Sequence, residues 1–150
     1  MKNKAKRPVL ECIGWREWVS LPQLGVPSIK AKIDTGARTS ALHVSHIHRI
    51  PGTNRIEFKI HPLQKHSQPE IIATAEMIEE RSIKSSNGET SLRPVILTDL
   101  KVGDRSFPIE LTLVNRDMMG FRMLLGREAI RKRYLVNPGK SFLTNKNKNR

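Results

Sequence analysis

The sequence predicts an all-β domain, a barrel-like antiparallel sheet with one short C-terminal helix. Three observations predict it. Short apolar and β-branched runs recur with a period of two. Turn residues (Gly, Pro, Asn, Asp) separate those runs. Only residues 127–134 carry a convincing helical pattern, about two turns long.

The elements follow in chain order. Residues 10–21 mix apolar and charged positions, contain both Trp residues and end at Pro22. Residues 28–33 alternate strictly, putting Ile29, Ala31 and Ile33 on one face, and run directly into Asp34-Thr35-Gly36. Ala41 opens a further strand through Val44, Pro51-Gly52-Thr53-Asn54 is a turn, residues 56–60 alternate again, and residues 62–69 form a polar loop. Residues 71–84 are ambiguous: 77–81 suit a helix, but β-branched residues at both ends favour one long strand. Asn87-Gly88 marks a hairpin, because both central positions of a type I′ turn need positive φ. Residues 92–100 form a strand in which Pro94 points to a sheet edge or a strand start. Gly103-Asp104 turns the chain into residues 107–114, where Ile109, Leu111 and Leu113 alternate with Glu110 and Thr112. Met123-Leu124-Leu125 is a short apolar strand ended by Gly126, and the helix after it stops before Pro138.

Composition bounds the class. A chain of 150 residues, 37% hydrophobic, fits one domain, expected at residues 9–138 between basic disordered tails at 1–8 and 139–150. No run approaches the ~20 apolar residues of a membrane span. The lone Cys12 excludes an internal disulfide scaffold; it lies in an apolar run, is expected to be a buried, inert thiol, and fits a cytoplasmic protein. The net charge of +13 looks like a nucleic-acid signal, yet eight of the cations lie in residues 1–7 and 140–150, leaving +5 for the body. The tails suit phosphate or polyglutamate without defining a reaction. Arg131-Lys132-Arg133 reads as either a solvated helix end or a nucleic-acid contact.

Chemistry points to Asp34. A carboxylate at a strand end, followed by a small hydroxyl and a glycine, sits in a tight loop where backbone N–H groups orient it. Gly36 permits the turn and Ala37 adds no bulk. The tripeptide alone also suits an ordinary Asx turn. A second element, Leu124-Leu125-Gly126-Arg127, follows late in the chain and opens the helix.

Together, an apolar strand into Asp34-Thr35-Gly36-Ala37 and the late apolar-apolar-Gly-Arg resemble the retropepsins, over roughly residues 29–134. A closer resemblance covers Ile33 through His43, Arg93-Pro94-Val95-Ile96, and Asn115-Arg116-Asp117-Met118 through Ala129. These segments are similar to a retropepsin-like bacterial family labelled ATP-dependent zinc proteases and associated with RimK-type glutamate ligases. The sequence has neither a Gly-rich loop ending in Gly-Lys-Ser/Thr nor a His-Glu-x-x-His.

The resemblance implies aspartic-peptidase chemistry at Asp34, Thr35 and Gly36, with Leu124, Leu125, Gly126 and Arg127 supporting the loop. Two carboxylates must share one proton, and this chain has a single Asp-Thr-Gly. Catalysis therefore implies a homodimer, with Thr35 hydrogen-bonding across the two-fold axis. Gly36, Ala37, Arg38 and Gly88 are the candidate substrate contacts, Gly88 as the tip of a flap at residues 85–89 that reads equally as an exposed hairpin. Where retropepsins carry an acid, this sequence has Arg38, which would face Arg127; Glu128 is the expected replacement partner, and Arg38 beside a cleft favours a glutamate-rich substrate.

No cofactor is expected. His43, His46, His48, His61 and His66 offer zinc as the alternative, with His46 and His48 on one strand face and His43 on the other. Three readings result: an aspartic endopeptidase; a non-proteolytic retropepsin-fold module binding an acidic protein, a ligase of the RimK type or a ribosomal surface; and a zinc peptidase.

Overall fold

The computed structural model describes residues 9–64, 66–85, 87–116 and 118–145. The N-terminal basic stretch 1–8, Ser86 of the expected flap and residues 146–150 lie outside them.

Strand β1 (Glu11–Gly14) and β2 (Arg16–Leu21) divide the Trp-bearing segment, and a 3₁₀ turn at Pro22–Leu24 ends on Gly25 with φ 76°. Then come β3 (Val26–Asp34), β4 (Ser40–Arg49), β5 (Arg55–Ile60), β6 (Ile71–Lys84), β7 (Thr90–Val102), β8 (Arg105–Val114) and β9 (Met123–Gly126). The ambiguity at residues 71–84 resolves as one 14-residue strand. Pro94 faces Glu80 on β6, while the ladder to β8 begins only at Val95, so its missing N–H lies where β7 has one neighbour.

Eight strands run in the order β2-β3-β9-β4-β5-β6-β7-β8, and further pairings β2–β7 and β4–β8 bend the sheet into a barrel. Ile29, Ala31 and Ile33 point inward as their alternation predicts, joining Leu42, Phe58, Ile96, Leu111 and Met123 in the core.

Three expectations change. The helix α1 spans only Arg127–Ile130; Lys132 turns back at φ 70° and Tyr134–Asn137 becomes β10, parallel to β1. A β pairing with a distant partner overrides local helix preference there. Cys12 is exposed; burial in β1 begins only at Ile13 and Gly14.

The third concerns the end of the packed body, expected at residue 138. Contacts continue to Thr144. Glu17, fully buried, accepts N–H groups from Gly14 (2.7 Å), Leu143 (2.8 Å) and Thr144 (3.1 Å), and the Thr144 hydroxyl at 2.8 Å. Phe142 stacks on Trp18 at 6.2 Å between ring centroids. A buried carboxylate satisfied by four donors is a strong local anchor. Among the described residues no helix is long and apolar enough to cross a membrane.

Candidate active site

The site begins where β3 ends. Asp34 lies level with Gly126 in the parallel β3–β9 ladder, and Ile33 with Leu125. The loop that follows is laced to the start of α1: Arg127 N–H donates to the Ala37 carbonyl (2.8 Å) and Glu128 N–H to the Arg38 carbonyl (3.1 Å). The Arg127 side chain donates to the Thr35 and Gly36 carbonyls at 3.4 and 3.2 Å. Gly36 N–H donates to Asp34 Oδ1 at 3.1 Å, so the loop holds one oxygen of the carboxylate.

Gly126 makes this closeness achievable. A Cβ there would stand 2.7 Å from the Thr39 carbonyl carbon and 2.8 Å from the Arg38 carbonyl oxygen, both backbone atoms. Its N–H donates to the buried Ser40 Oγ at 3.0 Å, and Thr112 Oγ1 donates to the Ser40 carbonyl at 3.1 Å. Ser40 is a supporting residue that sequence reasoning missed; its only local sign is a hydroxyl at a strand start.

Asp34, half-buried, lines an open cleft of about 820 Å³ between the loop and the β6–β7 hairpin. Its electrostatics are lopsided. Among the described residues Asp34 is the only acid in the wall, against seven cations. Three of those are engaged. Arg38 Nε lies 3.6 Å from Glu128 Oε2, the pairing expected in place of repulsion by Arg127, though both side chains are largely exposed. Arg127 is turned to the loop carbonyls. Arg81 is ion-paired to Glu110 (2.9 Å) and to Glu79, and those hydrogen bonds hold its pKa above the usual arginine value, Glu110 contributing most. Lys32, Lys84, Arg93 and Arg116 have no carboxylate partner among the described residues.

Ala37, Arg38, Leu124 and Arg127 lie in the cleft wall, and Leu125, level with Ile33 in the ladder, is buried. Thr35 is exposed on the loop and outside the wall. Gly88 sits at the hairpin tip with φ 89°, and the wall is formed by residues 81–85 of the rising strand instead. Lys32, Arg81, Lys84, Arg93 and Arg116 are wall residues that the sequence reading did not single out as substrate contacts; local sequence gave no sign that five distant cations converge.

The histidines do not gather into a set of three among the described residues, though His46 and His61 both contact Ser45 Oγ, at 3.0 and 3.1 Å. A bulge between Ser45 and His48, with His46 at φ 54°, leaves His46 and His48 exposed while Ile47 packs on the core. His43 contacts the Arg116 carbonyl, His61 contacts Ser45 Oγ and the Ser67 carbonyl, and His48 pairs with Glu57. Among the described residues no three His, Cys, Asp or Glu side chains are grouped for a metal ion.

Comparisons with known proteins fit this geometry. A "Probable alpha-L-glutamate ligase" of Shewanella pealeana is 45% identical over 132 residues, covering 87% of this chain and 29% of that protein. One of the same name from Parasynechococcus marenigrum is 47% identical over 130 residues, covering 84% of this chain and 28% of that one. The chain thus spans less than a third of these relatives. The crystal structure of Lpg0085 from Legionella pneumophila, a DUF785 protein of unknown function, superposes with a TM-score of 0.73 at 28% identity, covering 89% of this chain and 98% of that one. The family that matches is described as an aspartic endopeptidase, so the retropepsin-like part of the resemblance holds and the zinc-protease label is not the one it carries. From residue 12 to residue 147 the chain matches the RimB-like family, "Retropepsin-like aspartic endopeptidase RimB", and it belongs to that family.

Proposed function

We propose that this domain is an aspartic endopeptidase for acidic, glutamate-rich chains, with Asp34 of two copies forming the catalytic pair. One observation carries the reading: a loop-held carboxylate opens onto a cleft whose other charged wall residues, among those described, are all cations. The exposure of Thr35 and Gly36 beside Asp34 supports a second copy meeting the loop there. In such a pair two close carboxylates hold one proton between them. The ionised one takes a proton from water as the oxygen attacks the peptide carbonyl carbon. The protonated one gives its proton to the carbonyl oxygen. Collapse of the resulting diol then expels the amine, which leaves with a proton. Relatives named as glutamate ligases carry a similar domain, which supports glutamyl chains as the material encountered, and a ligase of the RimK type or a ribosomal protein in the cytoplasm as partner.

A second reading, a non-proteolytic module that holds an acidic chain, is favoured by the single Asp-Thr-Gly per chain. The zinc-peptidase reading draws little support from the scattered histidines. The test is cleavage of a glutamate-extended peptide by wild type and Asp34→Ala, at acidic and neutral pH, with and without chelator. Cleavage by wild type alone, unaffected by chelator and with specific activity rising with protein concentration, is expected. Equal cleavage by both proteins sinks the aspartic reading; binding without cleavage by wild type leaves the module reading.

A further inference from the structure

We infer that Arg93 and Arg116 form the subsite that grips a substrate side-chain carboxylate, and that the preference of the cleft for an acidic polypeptide over other polyanions resides in this pair. The inference deepens the reading of the cleft as a site for acidic chains, and it holds whether or not the bound chain is cut.

Arg93 is the anomaly. It is 8% exposed, yet among the described residues it has no ion-pair partner; its Nε donates to Ser91 Oγ at 3.1 Å. Burial, and secondarily the charge of Arg116, push its pKa below the usual arginine value. Across the hairpin it faces another cation, Arg81. Burying a guanidinium without an anion is costly, and a second one nearby raises the cost. Every other arginine in the wall has its charge or its donors answered: Arg81 by two carboxylates, Arg38 by Glu128, Arg127 by two carbonyls. Among the arginines of the wall, Arg93 and Arg116 are the two with neither a carboxylate nor a carbonyl partner among the described residues.

A carboxylate between them would relieve both the desolvation and the repulsion, and the planar fork of a guanidinium suits it bidentately. The apolar part of the wall favours a side chain with methylenes. Ala41 and Met118 form a small buried cluster with Leu124 packed on it, and all three line the cleft. That surface accommodates the stem of a glutamate and offers nothing to a sugar-phosphate backbone. Lys84, exposed on the hairpin, supplies only long-range attraction.

Binding tests this apart from catalysis. The Asp34→Asn protein is titrated into a fluorescein-labelled oligoglutamate peptide and followed by anisotropy, alone and with Arg116→Gln, Arg93→Lys or Lys84→Gln added. Arg116→Gln and Arg93→Lys are expected to weaken binding about 30-fold or more, as removing one member of a desolvated charge contact does, and Lys84→Gln less than about 3-fold. Thermal melting identifies any Arg93 variant that fails to fold, and Arg116→Gln then decides. Equal small losses in all three variants overturn the inference, since attraction would then be diffuse. So does displacement of the peptide by oligothymidylate at equal concentration, or absence of peptide binding to Asp34→Asn. Tight, Arg116-dependent binding by a wild type that cuts nothing sustains the subsite and defeats only the peptidase reading.

Discussion

At Gly126 a missing side chain decides how the carboxylate is held. The loop after Asp34 lies against β9 so closely that a single methyl would meet the backbone of Arg38 and Thr39 below 3 Å. Backbone cannot swing aside as a flexible side chain can, so β9 or the loop would have to move. Gly126→Ala is expected to cost about 2–3 kcal/mol in urea unfolding, in the range for overpacking, and, on the proposed function, to lower peptide cleavage further by displacing Asp34. Unchanged stability and activity would show that the loop has slack. The Asp34–Gly126 neighbourhood was readable because both halves are short contiguous motifs. Ser40 and Arg93 were not, since burial of a hydroxyl or a cation depends on strands far away in the chain.

At the scale of elements, the β6–β7 hairpin divides into two parts. Its inner part is embraced by β5 and β8, whereas residues 79–84 of β6 pair only with β7. Strain introduced at the tip should therefore stay local. Gly88→Val forces a β-branched side chain to φ near 89°, at about 1–3 kcal/mol. Amide exchange at residues 82–85 is expected to quicken about tenfold or more while the global melting transition moves little. A matching global loss would mean that the tip is part of the cooperative core. Alternating strands and the Asn87-Gly88 turn were legible because period and turn chemistry are local. The shortened α1 and β10 were not: residues 134–137 are a strand only because β1 lies alongside, more than 120 positions earlier.

For the whole molecule, residues 139–145 behave as part of the body. A chain ending at residue 137 would leave Glu17 buried with Gly14 N–H as its sole remaining donor among those described. Removing residues 138–150 is expected to cost about 3 kcal/mol or more, whereas removing only 146–150 should stay within about 0.5 kcal/mol. Parallel urea titrations compare them; equal, small losses would mean that the Glu17 contacts contribute little. This anchor escaped the sequence reading because a Lys- and Asn-rich end looks solvated, and one acid at position 17 reveals nothing about what closes over it.

The pairing of β1 with β10 carries a mechanical consequence. The two strands run side by side in the same direction, joining the first and last strands of the domain. Tension that drags Glu11 backward and Asn137 forward would load their hydrogen bonds together, as a shear, rather than opening them one after another. A domain tethered at both ends inside a longer assembly would then resist being pulled apart, and the loop bearing Asp34 would keep its shape under that strain.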